Sequence, residues 1–282
     1  MKDLTILEQL CFSTTRIETE DYSGKLYSGT GFFFNLKIGE NTVPIVVTNK
    51  HVVQGMSKVT FLLTESDTNG NPILNQHFRL INDDKMWIIH PNPNIDLCVC
   101  PFNMLVIAAK QAFNKTFFYR CFDNSLIPNM DQLSELDVVE DVLMIGYPDG
   151  LWDYVNNMPI IRRGITATDP KINFIGENKF LIDIGCIGGS SGSPIILLDK
   201  FGYMDKRGNL NLGNSRLFLL GILCAGYEKT VEGNLKVVPI PTAQIIAPIS
   251  QIPTNLGIVI KSNTLLEFIP LLTEILKNDK PS

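Results

Sequence analysis

Gly188-Gly189-Ser190-Ser191-Gly192-Ser193-Pro194 combines glycines, serines and a proline in one short run. Its glycines and proline exclude a helix or a regular strand. Ile195-Ile196-Leu197-Leu198 follows, an apolar run that reads as a buried strand. A tight turn ahead of such a strand can hold a serine hydroxyl at a fixed point and aim backbone N–H groups at the same place. That is the geometry of a nucleophile beside an oxyanion hole. The same residues also suit a plain polar turn between strands. The rest of the chain has to choose.

A chain of 282 residues can bury a large core, as one domain or as two lobes that share a site. Hydrophobic content of 45% against 19% charged residues predicts a globular protein. A net charge of −5 gives no basis for a nucleic-acid partner or an anionic membrane surface. Asp3 and Glu8 interrupt the N-terminal segment where a signal peptide needs an apolar run, and no apolar stretch reaches membrane-spanning length. Cys11, Cys98, Cys100, Cys121, Cys186 and Cys224 follow no framework spacing, so they are expected as reduced thiols in a cytoplasmic protein. Cys98-Val99-Cys100 has no second Cys/His pair nearby, and neither a metal nor another cofactor is expected.

The chain reads mainly as short strands. A short helix over Leu4–Cys11 leads into the alternating Thr14-Thr15-Arg16-Ile17-Glu18. Gly29-Thr30-Gly31-Phe32 belongs to a core strand, and Pro44–Val53 is an apolar strand that ends at His51. Strands follow near 58–64 and 76–82. A rigid Pro/Asn loop, Pro91-Asn92-Pro93-Asn94, then delivers Asp96 to the mouth of another strand. Residues 103–135 are mixed and read as a connection. Further strands are expected near 137–146, 160–168, 179–184, 216–225, 235–241 and 243–249, with a short apolar segment at 256–260. The tail 262–277 has helical spacing, a capping-box pattern in Thr264-Leu265-Leu266-Glu267, and Pro270 as a source of kinking. Many short strands with frequent turns predict an all-β domain pair.

Gly188-x-Ser190-x-Gly192 matches the nucleophile elbow of α/β-hydrolases, which would make Ser190 the nucleophile. In that fold the acid and the base follow the serine. The three histidines here, His51, His77 and His90, all precede it. The strand–helix alternation of that fold is missing too, so the elbow is discarded. The other order is histidine, aspartate, serine: His51 at a strand end, Asp96 at a strand mouth and Ser191 in the glycine turn.

Four local motifs then agree in order. Thr48-Asn49-Lys50-His51-Val52-Val53 resembles T-N-x-H-V-V, and Asn94-Ile95-Asp96-Leu97 resembles an acid segment. Gly146-Tyr147-Pro148-Asp149-Gly150-Leu151 resembles G-x-P-x-G-L, and Gly189-Ser190-Ser191-Gly192-Ser193-Pro194 resembles G-x-S-G-[GS]-P. Together with Gly29-Thr30-Gly31-Phe32 they carry a resemblance that extends over about residues 14–250. The chain thus resembles the trypsin/chymotrypsin-fold serine proteases, and most closely the bacterial HtrA-like "trypsin-like peptidase domain" proteins without a PDZ module.

The resemblance implies two packed six-stranded antiparallel β-barrels with short N- and C-terminal helices. It places a first lobe at 1–115, a connection at 116–135, a second lobe at 136–260, and a helical tail at 261–282. It implies an endopeptidase acting on a protein or peptide substrate. Ser191 would be the nucleophile, His51 the general base and acid, and Asp96 the group that orients the imidazole. The N–H groups of Gly189 and Ser191 would form the oxyanion hole. Substrate would lie against Gly185, Cys186 and Ile187, against Cys224, Ala225 and Gly226, and near a wall at Ala247. None of these is charged, so a small or medium apolar side chain is expected on the residue that supplies the scissile carbonyl. Ser190 stands where animal trypsins carry the aspartate that pairs with a freed N-terminus, which implies no zymogen cleavage. Cys224 stands where the family often has a serine that supports the triad aspartate, which puts that support in question. The competing expectation is a protease-fold binder or sensor that captures peptides along the 224–226 edge with little turnover.

Overall fold

The structure is a computed structural model that describes residues 4–82, 86–148, 151–232 and 249–278. Helix α1 (Ile6–Leu10) precedes strands β1 (Thr14–Asp21), β2 (Leu26–Ile38) and β3 (Asn41–Thr48), the single-turn helix α2 (Lys50–Val53), β4 (Met56–Ser66) and β5 (Pro72–Asn82). Then come β6 (Ile88–Ile89), β7 (Cys98–Pro101), α3 (Phe102–Phe113), β8 (Phe122–Asp123) and α4 (Met130–Ser134). The second half holds β9 (Asp141–Gly146), β10 (Ile160–Thr166), β11 (Lys179–Asp183), β12 (Pro194–Asp199), β13 (Gly202–Met204), β14 (Leu210–Leu212), β15 (Arg216–Glu232) and β16 (Ile249–Lys261). A 3-10 helix (Ser262–Phe268) and α5 (Ile269–Asn278) close the chain.

The fold is all-β and two-lobed. In the second lobe β10-β11-β16-β15-β12-β9 form a closed barrel. In the first, the strands run β5-β4-β1-β2-β3-β7-β6, with β8 added parallel to β2. The strands expected at 235–241 and over most of 243–249, and the wall near Ala247, lie outside the described residues, as do Asp149 and Gly150.

Three apolar clusters explain why the lobes pack. Phe33, Val46, Phe61, Trp87 and Phe102 fill the first lobe. Val142, Phe180, Ile195, Leu223 and Val259 fill the second. The third cluster belongs to both, joining Phe32, Phe34, Val47 and Leu97 to Ile145, Ile196, Ile222 and Ile260. Leu265, Phe268 and Leu272 of the tail complete this seam. Each fully buried aliphatic or aromatic side chain there contributes about 1.5–3 kcal/mol, so the tail holds the lobes together.

Local outcomes differ from the sequence expectation. The strand expected to run to His51 stops at Thr48, and His51 lies on helix α2. The mixed segment 103–135 begins with a twelve-residue helix, α3, which buries Phe102, Leu105 and Ala109 at helical spacing and ends on Asn114 in the left-handed region (φ 53°). Pro101 before it and Asn114 after it look like loop signals but here serve as helix ends. The Thr264–Glu267 capping box does not form. Thr264 lies inside the 3-10 helix, and its hydroxyl accepts from Asn178 Nδ2 at 3.0 Å. Pro270 has no N–H to give an earlier helical carbonyl, so α5 starts at Ile269 and keeps the proline in its first turn, where it is tolerated. At the other end of the chain Thr5 and Glu8 do make a capping box for α1.

His90 sits under this tail. Its side chain is fully buried, with its ring edge-on to Phe268 at 5.0 Å. Asn92 N–H donates to its Nδ1 at 3.1 Å, so the proton of the neutral ring is on Nε2, 3.5 Å from Glu267 Oε2. Burial holds its pKa below the ordinary value, outweighing the pull of Glu267 in the other direction. The unfolded chain therefore binds a proton at higher pH than the folded one, and stability is lost as pH falls through the ordinary histidine value. The thermal midpoint is expected to fall between about pH 7.5 and about pH 5, and to fall less in His90→Gln. Equal slopes in the two proteins would contradict this assignment.

Candidate active site

Thr48 ends β3, and the chain turns directly into α2, which presents His51 with its side chain half exposed. Asp96 approaches from the Pro/Asn loop. His51 Nδ1 lies 2.6 Å from Asp96 Oδ2, and His51 N–H donates to Asp96 Oδ1 at 3.2 Å. One carboxylate thus grips both the ring and the backbone of the same histidine, which fixes the Nδ1–H tautomer and leaves Nε2 as the acceptor. The flanking residues lock this pair. Asn49, fully buried, donates from Nδ2 to Asp96 O at 2.8 Å. Lys50 Nζ donates to the carbonyls of Asn92 and Pro93 at 3.3 and 3.2 Å.

The serine turn comes from the other lobe and is held by Thr30. Thr30 N–H donates to Ser191 O at 2.9 Å, and Thr30 Oγ1 donates to Gly189 O at 2.9 Å. The same hydroxyl accepts from Tyr147 N–H at 3.1 Å, and Thr48 Oγ1 donates to Thr30 O at 2.7 Å. Gly192 has φ +87°, and a Cβ on it would lie 2.0 Å from Thr30 O and 2.6 Å from Thr48 Oγ1. Only glycine lets the turn come this close to the strand end that leads to His51. On its other side the turn is tied to β15: Gly192 N–H donates to Leu223 O at 2.9 Å, and Leu223 N–H to Ser193 O at 3.0 Å.

Within the turn, Ser190 N–H donates to Ile187 O at 3.1 Å, and Gly189 has φ +80°. Among the described residues, the N–H groups of Gly189 and Ser191 donate to no protein acceptor. Ser190 and Ser193 are buried, and neither hydroxyl has a partner among the described residues. Ser191 is the serine of this turn left partly open to solvent. No hydrogen bond joins its hydroxyl to the His51 ring in this structure; such bonds commonly tighten only with substrate in place.

The chain superposes on an HtrA-type protease, AlgW with tripeptide, with a TM-score of 0.50 at 14% identity, over 95% of this chain and 62% of that one. The fold is that of the trypsin-like serine proteases. Tobacco etch virus protease complexed with product is similar at TM-score 0.49 and 13% identity, over 97% of this chain and 83% of that one. The serine endoprotease from Yersinia pestis matches at TM-score 0.44 and 15% identity, over 98% and 67%. No family model and no curated protein matches the sequence.

In this trypsin-like frame the residues expected to meet substrate fall on two arms. Gly185, Cys186 and Ile187 lead into the serine turn. Cys224, Ala225 and Gly226 lie on β15 beyond Ile222, the last residue of that strand paired with β12. Past that point β15 is paired with β16 alone among the described strands, and Ala225 and Gly226 are exposed. That is an open strand edge beside Ser191. Cys186 packs against the glycines facing it: a Cβ on Gly226 would lie 3.2 Å from Cys186 Cβ, and one on Gly257 2.6 Å from its Sγ.

Cys224 does not support Asp96. Its thiol donates to Ile258 O at 3.4 Å, and burial pushes its pKa up to about 12. Asp96 is held by His51 and by the Asn49 bond to its carbonyl instead. Arg162, from β10, donates from Nη1 to Gly185 O, so a guanidinium stands at that arm. Sequence reasoning missed Thr30, Asn49, Lys50 and Arg162 as parts of the site. The first three lie inside motifs whose glycine and histidine drew attention instead. Arg162 sits on an unremarkable strand, and nothing in the sequence flags it.

Proposed function

We propose that this chain is a serine endopeptidase that cleaves protein or peptide chains through an acyl-enzyme on Ser191. The observation that carries this is the His51–Asp96 pair at 2.6 Å, together with a serine turn that is tied through Thr30 to the strand end leading to His51 and whose Gly189 and Ser191 N–H groups are unpaired among the described residues. Ser191 Oγ attacks the scissile carbonyl carbon as His51 Nε2 takes its proton. The carbonyl oxygen becomes an oxyanion facing the N–H groups of Gly189 and Ser191, each worth roughly 3 kcal/mol in such a role. The C–N bond then breaks, and His51 returns the proton to the leaving amine. Water repeats the sequence on the ester and frees Ser191. Asp96 keeps the ring in the tautomer that both halves need. The substrate backbone pairs with the open edge at Ala225–Gly226 as an added strand.

No N-terminal cleavage is needed in this reading. Ser190 has no carboxylate to pair with a freed amine, and the turn is already tied by Thr30 and Leu223. The test is a fluorophosphonate probe with mass-spectrometric mapping of the adduct. A hydrolase carries the adduct on Ser191; a folded protein that binds peptides but takes no adduct is the capture protein instead.

A further inference from the structure

Among the described residues Arg162 is a cation without an anion. Its neighbour Arg163 pairs with Asp141 at 2.7 Å, and Arg216 pairs with both Asp199 and Glu140. Arg162 makes no ion pair among the described residues; its one hydrogen bond goes to Gly185 O. A guanidinium has five donors, so most of its capacity is unused in a half-buried position. A Cβ on Gly185 would lie 3.2 Å from Arg162 Nη2. Any larger residue at 185 would therefore press on the guanidinium, whereas glycine leaves it uncovered.

The position is specific. Gly185 and Cys186 begin the arm that ends in the Ser191 turn, and Cys186 packs on Gly226 of the opposite arm. If the scissile carbonyl sits at the Gly189 and Ser191 N–H groups and the backbone pairs along Ala225–Gly226, the side chain of that residue enters between the arms. There it meets Cys186 and Gly185 with the guanidinium beside them. Cys186 brings no competing charge. Burial lifts its thiol to about 11, in spite of Arg162, and the S–H donates to Ile184 O at 3.0 Å. Asp183 is near enough to act on the same thiol, but it is exposed and makes no bond to Arg162.

We infer that Arg162 is a specificity-determining residue that selects an acidic side chain, glutamate or aspartate, on the residue supplying the scissile carbonyl. This rests on Ser191 being the nucleophile, and it replaces the apolar preference drawn from an uncharged pocket. A carboxylate entering between the arms completes the guanidinium with a charge-assisted pair. The isosteric amide cannot do so, because it brings no charge.

The test uses peptides that differ only at that residue: Glu, Asp, Gln or Leu. Wild type is expected to favour Glu over its isostere Gln by at least about tenfold in kcat/KM. In Arg162→Gln the Glu/Gln ratio falls to about one, and in Arg162→Lys part of it survives. The ratio is internal to each protein, so a general loss of activity does not move it. If neither variant folds, the wild-type ratio still decides. A wild-type ratio near one, Leu preferred over Glu, or a ratio unchanged in Arg162→Gln overturns the assignment. If no peptide is cleaved and no fluorophosphonate adduct forms, the hydrolase reading fails. Binding of the Glu and Gln peptides to the full chain, read by fluorescence anisotropy, then decides the role of Arg162 on its own: a ratio sensitive to Arg162→Gln supports it, and an insensitive one overturns it.

Discussion

Replacing Ser191 with alanine is expected to lower kcat/KM on a cleavable peptide by about a million-fold, equivalent to about 8 kcal/mol of transition-state stabilisation. The fold should be untouched. The Ser191 hydroxyl makes no hydrogen bond to another described group, while the backbone bonds that set the turn, from Thr30 N–H to Ser191 O and from Gly192 N–H to Leu223 O, do not involve the side chain. The same substitution at Ser190 or Ser193 provides the contrast. Both hydroxyls are buried without partners among the described residues, so their removal deletes a desolvated polar group and has only a modest effect on rate and stability. Steady-state rates on one peptide with the three alanine variants separate the serines. A Ser190→Ala enzyme as dead as Ser191→Ala would restore the elbow assignment that histidine order excludes.

Asp96→Asn is expected to lower kcat by about ten-thousand-fold near neutral pH, with KM little changed. The carboxylate accepts from both the Nδ1–H and the backbone N–H of His51. An asparagine can keep that geometry only by turning its NH2 group toward Nδ1. This moves the ring proton to Nε2 and removes the acceptor that Ser191 needs. The variant should fold normally, since Asn49 binds the carbonyl of residue 96 and not its side chain. A kcat–pH profile of the variant checks this. A loss of only a few-fold at neutral pH would mean that the imidazole is oriented by something other than Asp96.

How much of this was legible in the sequence depended on whether the signal was local. The glycine turn, the histidine at the end of an apolar strand and the aspartate after a Pro/Asn loop each advertise themselves in a few residues. The order of the three then excluded the competing nucleophile. What holds them was not legible. Thr30 meets Gly189 and Ser191 across the lobe boundary, and Lys50 meets carbonyls of a loop more than forty residues away. Such bonds follow from the packing of two lobes, which no periodicity records. Helix α3 was hidden for a different reason: Pro101 and Asn114 read as loop signals until their places at the helix ends are known. Arg162 was invisible because its meaning lies in Gly185 opposite, where a missing side chain exposes a charge. The Cys224 thiol shows the reverse case. Its weakness as a donor was clear from the residue type, but only the structure shows that it turns to Ile258 and leaves Asp96 to other partners.

The central claim is that Ser191 is a nucleophile activated by His51. The most direct measurement is the rate at which a fluorophosphonate modifies the native protein, with the adduct mapped by peptide mass spectrometry. Fluoride is expected to leave as a Ser191 Oγ–P bond forms, on Ser191 alone, and His51→Ala is expected to slow this by at least about a thousand-fold. Adduct on Ser190 or Ser193, or labelling of Ser191 at the same rate without His51, would contradict it.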